Sequence, residues 1–102
     1  MSPTERTLAS LRKDGWHCAI VEKWNPHTRT RADLWGIVDI LAIRRNEVLA
    51  VQCTSGSNLA ARVDKITNHE NTPKVREAGI RIQAWGWRKL KAGWQAKIVE
   101  LS

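Results

Sequence analysis

Two apolar runs mark the centre of the chain, Ile37-Val38-Asp39-Ile40-Leu41-Ala42-Ile43 and Val48-Leu49-Ala50-Val51-Gln52-Cys53-Thr54, with a short polar break between them. Runs of this length, rich in branched side chains and bounded by polar residues, predict strands. Arg45-Asn46 fits a two-residue hairpin loop, because Asn46 tolerates the positive φ that tight hairpins need. Opposed residues are then equidistant from that loop, and Asp39 faces Gln52. Thr54 shares their face, since side chains alternate with period two. A slip of one residue would put Asp39 and Gln52 on opposite faces.

The remaining pattern supplies the flanks. Thr4 is placed to cap a first helix running to about Asp14, with Leu8 and Leu11 on one face and Gly15 ending it. Trp16 to Trp24 reads as a strand, Asn25-Pro26-His27 breaks it, and Thr28-Arg29-Thr30-Arg31 reads as a basic loop. The third strand is Glu47 to Cys53. Ser55-Gly56-Ser57 turns the chain, and Ser57 or Asn58 caps a helix with Leu59, Val63 and Ile66 at core spacing and Arg62, Lys65 and His69 on its other face. Thr72 with Pro73 starts a short helix that stops at Gly79. Gly79 to Trp85 and Trp94 to Leu101 are strands joined by a basic turn around Lys89-Leu90-Lys91. The expectation is an α/β fold, one domain over residues 1–102, with a single mixed sheet flanked by helices in the order αβββαββ.

Charge narrows the partners. Seventeen Lys and Arg against ten Asp and Glu give +7, spread along the whole chain. Nucleic acid is the first polyanion such charge ordinarily meets, and solubility is the plainer reading. No run approaches the roughly 18 apolar residues of a membrane span, and Met1 to Arg6 lacks the apolar core of a signal peptide, so a cytoplasmic protein without a membrane role is expected. Cys18 and Cys53 fall in apolar stretches and read as reduced core cysteines. With His17, His27 and His69 they form no close-spaced pair of the zinc type. Neither a Gly-rich phosphate loop nor a Ser-His-Asp order is present. Six Trp with no Phe or Tyr make Trp the aromatic filling of the core. Trp87 is the exception: between Gly86 and Arg88-Lys89, near a strand end, its ring is expected to be exposed and able to lie on a base.

Asp39 is the residue that most needs a reason, because a carboxylate dehydrated inside a strand requires a cation or a hydrogen-bond network beside it. An Asp in the second strand, an amide in the third and a basic helix next, in this element order, resemble the PD-(D/E)XK nuclease superfamily. Within it the likeness is to small phage-type and VRR-type nucleases and to archaeal Holliday-junction resolvases. The Thr4-Glu5-Arg6-Thr7-Leu8-Ala9-Ser10-Leu11 segment followed by Gly15-Trp16 is also similar to the resolvases' first helix. Asp39 stands in place of the motif Asp, and Gln52-Cys53-Thr54 in place of Glu-x-Lys, so Thr54 occupies the lysine position without its charge.

The resemblance implies a restriction-endonuclease-like core and a DNA endonuclease, structure-selective for branched DNA, that hydrolyses phosphodiester bonds with Mg²⁺ or Mn²⁺. It implies metal ligation by Asp39, Gln52 and the backbone carbonyl of Cys53, with Glu5 or Glu22 adding the second negative charge. Thr54 would stand at the catalytic position, with Lys65 or Arg62 reaching in from the following helix to supply the missing cation. Arg29, Arg31, Arg62, Lys65, Trp87 and Arg88 are the DNA-contact candidates. A homodimer is expected by the same likeness. Two other readings stand beside it: a nuclease-fold module that has lost hydrolysis and binds DNA or protein, and an unrelated small basic protein in which Asp39 pairs with an arginine.

Overall fold

The computed structural model describes residues 1–102, and its most deeply buried strand organises the rest. In chain order the elements are α1 (Pro3–Lys13), β1 (His17–Ile20), β2 (Lys23–Asn25), β3 (Thr30–Ala32), β4 (Ile40–Arg44), β5 (Glu47–Ser55), α2 (Leu59–Thr67), α3 (Thr72–Glu77), β6 (Arg81–Leu90) and β7 (Gly93–Glu100). Five strands form a mixed sheet in the order β1-β4-β5-β6-β7, and β2 pairs only with β3. β5 and β6 run parallel because α2 and α3 carry the chain back across the sheet between them. All other pairings are antiparallel.

β5 is apolar without alternation because both its faces are covered. Leu49, Val51 and Cys53 meet Leu8 and Leu11 of α1, together with Trp16 and Trp85. Ala50 points the other way, into a layer with Leu59 and Ile66 of α2 and Val75 of α3. Gly86 permits a close approach on that side: a Cβ there would lie 2.9 Å from the Leu59 Cβ, so the start of α2 docks on bare backbone. The β4–β5 register is the one expected from the hairpin, with Arg44 opposite Glu47 and Ile40 opposite Val51. The positive φ falls on Arg45 (56°) rather than on Asn46.

The expected order gains the β2–β3 hairpin, while the short helix expected after Thr72 is α3. The strand expected over Trp16 to Trp24 stops at Ile20, where the Val21 N–H bonds the Asp39 carbonyl (2.8 Å), and the chain leaves the sheet. Of the segment expected to be a basic loop, Thr28 and Arg29 lie in the hairpin turn and Thr30 and Arg31 in β3; the turn is held by the Asn25 carboxamide oxygen accepting from the N–H groups of His27 (2.9 Å) and Thr28 (3.4 Å). Ser2, not Thr4, caps α1: the Ser2 Oγ accepts from the Glu5 N–H and the Glu5 carboxylate accepts from the Ser2 N–H, a capping box.

The tryptophans also divide differently. Trp16 and Trp85 are buried, whereas Trp24, Trp35 and Trp94 are exposed. Trp87 is only half exposed, packed on the α1 layer with its Nε1 donating to Thr7 Oγ1 (2.9 Å) and its ring tilted against Trp85. Both cysteines are free, and burial pushes the Cys53 thiol up to about 12, consistent with an inert core residue. No helix is long and apolar enough to cross a membrane.

Candidate metal centre

Three connecting segments meet at the end of the sheet where β5 finishes, and each brings one carboxylate. Glu22 lies in the link after β1, Asp33 just after β3 and Asp39 just before β4. One oxygen from each lies within 4.8 Å of the other two. Backbone bonds hold them there: the Asp39 carbonyl accepts from Val21, and its N–H donates to the Val51 carbonyl (2.9 Å), which ties both links to β5. Between Asp33 and Asp39 the chain makes a tight turn closed by a bridge between Leu34 and Val38. Trp35 and Gly36 take positive φ in that turn, 55° and 78°. A Cβ on Gly36 would come 2.6 Å from His69 Nε2, and Asn71 Nδ2 donates to the Trp35 carbonyl (2.9 Å), so the residues after α2 fix the turn from outside.

Each acid has its own partner. Asp39 is 5% exposed, and its Oδ2 accepts from the Cys53 N–H (2.8 Å). Burial, followed by the neighbouring Asp33 carboxyl, raises its pKa to about 7 against the opposing pull of the Cys53 N–H. Asp33 accepts at one oxygen, Oδ2, from Gln52 Nε2 (2.7 Å) and from the Lys65 ammonium (3.3 Å). Glu22 is paired with Arg31 at 3.1 Å. A cleft of about 390 Å³ opens over the group, bounded by α1 at Pro3 and Thr4 and by Arg62 and Lys65 of α2.

The sequence-derived candidates separate clearly in space. Asp39, Glu22 and Lys65 converge on the cleft, Arg31 and Arg62 line it, and Cys53 reaches it through its backbone. Because a strand residue turns its N–H and C=O toward the same neighbour, the Cys53 carbonyl faces the β4 side as well. Gln52 is fully buried behind Asp33, where it holds that carboxylate instead of lining the cleft, and its Oε1 has no partner. Thr54 lies opposite Gly86, 6% exposed and outside the cleft, so the β5 position matching the motif lysine faces the packed layer between sheet and helix. Glu5 is engaged in the helix cap, its pKa lowered chiefly by the Ser2 N–H, and is not among the clustered acids. Arg29 is exposed in the β2–β3 turn, Arg88 lies beside Gly56 outside the cleft, and Trp87 is held by Thr7.

Asp33 escaped the sequence reading altogether. Its one local signal is the Trp35-Gly36 turn beside it, which brings the chain back on itself before Asp39. The donor set is chemically uniform, three hard carboxylate oxygens close enough to repel one another, which is the set Mg²⁺ or Mn²⁺ accepts. The residues therefore fit such an ion. No protein-family model, curated protein or solved structure matches the chain.

Proposed function

We propose that the chain is a Mg²⁺- or Mn²⁺-dependent nuclease acting on DNA, with Glu22, Asp33 and Asp39 holding the ion. The observation that carries this reading is the convergence of these three acids from separate segments, with the Lys65 ammonium on Asp33. When bound, the ion supplies charge neutralisation at the non-bridging phosphate oxygens and lowers the pKa of a water.

The protein's own groups do the rest. Lys65 stands in for the cation that Thr54 lacks, delivered from α2 instead of β5; its ammonium can stabilise charge developing on the phosphate or orient the attacking water. Arg62 and Arg31 are set to receive the phosphates on either side of the cut. The Gln52 amide and the Cys53 N–H position Asp33 and Asp39, so these two acids are held before substrate arrives. The overall +7 charge supports attraction of a polyanion to the cleft.

Cleavage of plasmid, single-stranded and branched DNA with Mg²⁺ or Mn²⁺ tests the proposal. Asp33→Ala and Asp39→Ala should each lower cutting at least a hundredfold while circular dichroism stays that of the wild type. An uncharged Thr54 on β5 favours a second reading, a binding module of the same fold. Salt-sensitive DNA binding with no cutting on any of these substrates would establish that reading and refute the first.

A further inference from the structure

The β2–β3 hairpin serves no core. All six of its strand residues are exposed, and it pairs with nothing but itself. Between Lys23 and Ala32 it carries Lys23, His27, Arg29 and Arg31 and no acid. Trp24 pairs across it with Arg31, so the indole and the guanidinium share one face. That face turns to a trough of about 470 Å³ whose opposite wall is the start of α1 at Ser2, Thr4 and Glu5, the Glu5 carboxylate accepting from the Ser2 N–H. Ile20 and Trp24, 53% and 57% exposed, are its apolar surfaces. The trough adjoins the acidic cleft directly: Thr4, Glu22 and Arg31 line both.

We propose that this trough takes an unpaired nucleobase, stacked on Trp24, with Arg31 receiving the phosphate between that nucleotide and the one at the acidic cluster. The proposal rests on the nuclease reading for its substrate and names the class within it: DNA with an unpaired strand beside the cut. Exposed aromatic rings bordered by cations are how proteins hold single strands without sequence preference, because every base offers a π face. Bases in the interior of a duplex have both faces covered by their neighbours, so the Trp24 ring can meet one there only when it is out of the stack. Arg31 is suited to bridge the two sites: one N–H is held at 3.1 Å by Glu22, while the side chain as a whole is 67% exposed.

The experiment measures binding in EDTA, where cutting cannot occur, using a short fluorescein-labelled single strand and a relaxed, covalently closed circular duplex, which has neither an unpaired loop nor an open end. Trp24→Ala should weaken single-strand binding by about ten- to a hundredfold and leave duplex binding unchanged, while Trp24→Phe keeps most of the single-strand affinity. Wild-type single-strand affinity in Trp24→Ala, or equal loss on both ligands, overturns the proposal. The thermal melt of each variant should match the wild type, since the ring contributes to no core layer. The two readings fail separately. A protein that cuts DNA but is indifferent to Trp24 refutes the stacking site alone, and Trp24-dependent single-strand binding without cutting under any metal refutes the nuclease reading alone.

Discussion

Replacing Asp39 by Asn should stabilise the metal-free protein at alkaline pH and leave it nearly unchanged in acid. Asn has almost the same shape, and its Oδ1 can still accept from the Cys53 N–H, so the substitution removes a charge and little else. The folded-state pKa is raised from 3.8 to about 7. Between those values the folded chain keeps a proton that the unfolded chain has released, so stability falls as pH rises through the window and the full deficit is present above it. One pKa unit is about 1.4 kcal/mol, which bounds the deficit at about 4 kcal/mol near pH 8. Relaxation and water entry reduce that bound, and a gain of about 2 kcal/mol for Asp39→Asn near pH 8 is expected, shrinking below about 1 kcal/mol near pH 4.

Urea melts followed by tryptophan fluorescence in EDTA measure both values. Equal gains at the two pH values, or a loss near pH 8, would refute the account of Asp39 as a buried acid held at a cost. Adding Mg²⁺ should then reverse the order, because an ion that binds only the native state stabilises the wild type in proportion to its occupancy. Asp39→Asn should show little of that stabilisation.

Lys65→Met should reduce cutting at least a hundredfold with metal binding retained, measured by Mn²⁺ titration beside the cleavage assay; unchanged cutting would remove Lys65 from the chemistry. Glu22→Gln should lose most Mn²⁺ affinity and Glu5→Gln should keep it, a contrast that the same titration reads directly. Thr54→Lys should not raise activity and should destabilise the fold by about 2–4 kcal/mol, since its ammonium would enter the packed layer facing Gly86; denaturant midpoints check this. Gly86→Ala should lower stability by about 1–3 kcal/mol, as its new methyl meets Leu59, and a thermal melt decides it.

How legible these features were depended on what each element buries. β4 and β5 stood out because strands covered on both faces must be apolar throughout, and their hairpin register followed from a two-residue loop. The β2–β3 hairpin left no such trace: its strands are three residues long, exposed on both faces and under no requirement to alternate. Trp24 and Trp87 show the same limit at single residues. Both have basic residues nearby in the chain, and only tertiary pairing decides that one ring meets solvent and the other meets Thr7.

The acids illustrate it again. Asp39 announced itself by interrupting an apolar run, while Asp33 lies in a polar connection where a carboxylate needs no explanation until the Leu34–Val38 turn folds it back. The cation is the instructive case, because strand register fixes which residues share a face but says nothing about how far a side chain from a packed helix extends. Lys65 reaches Asp33 from α2, so its position depends on how α2 docks through Leu59 on Gly86 and on the turn that His69 and Asn71 brace. Two acids are therefore anchored to β5, while the charge that would act with them is anchored to a helix. A loosened α2 should impair Lys65 before it impairs the hydrogen bond between Cys53 and Asp39. Gly86→Ala protein that still folds should accordingly bind Mn²⁺ like the wild type and cut more slowly.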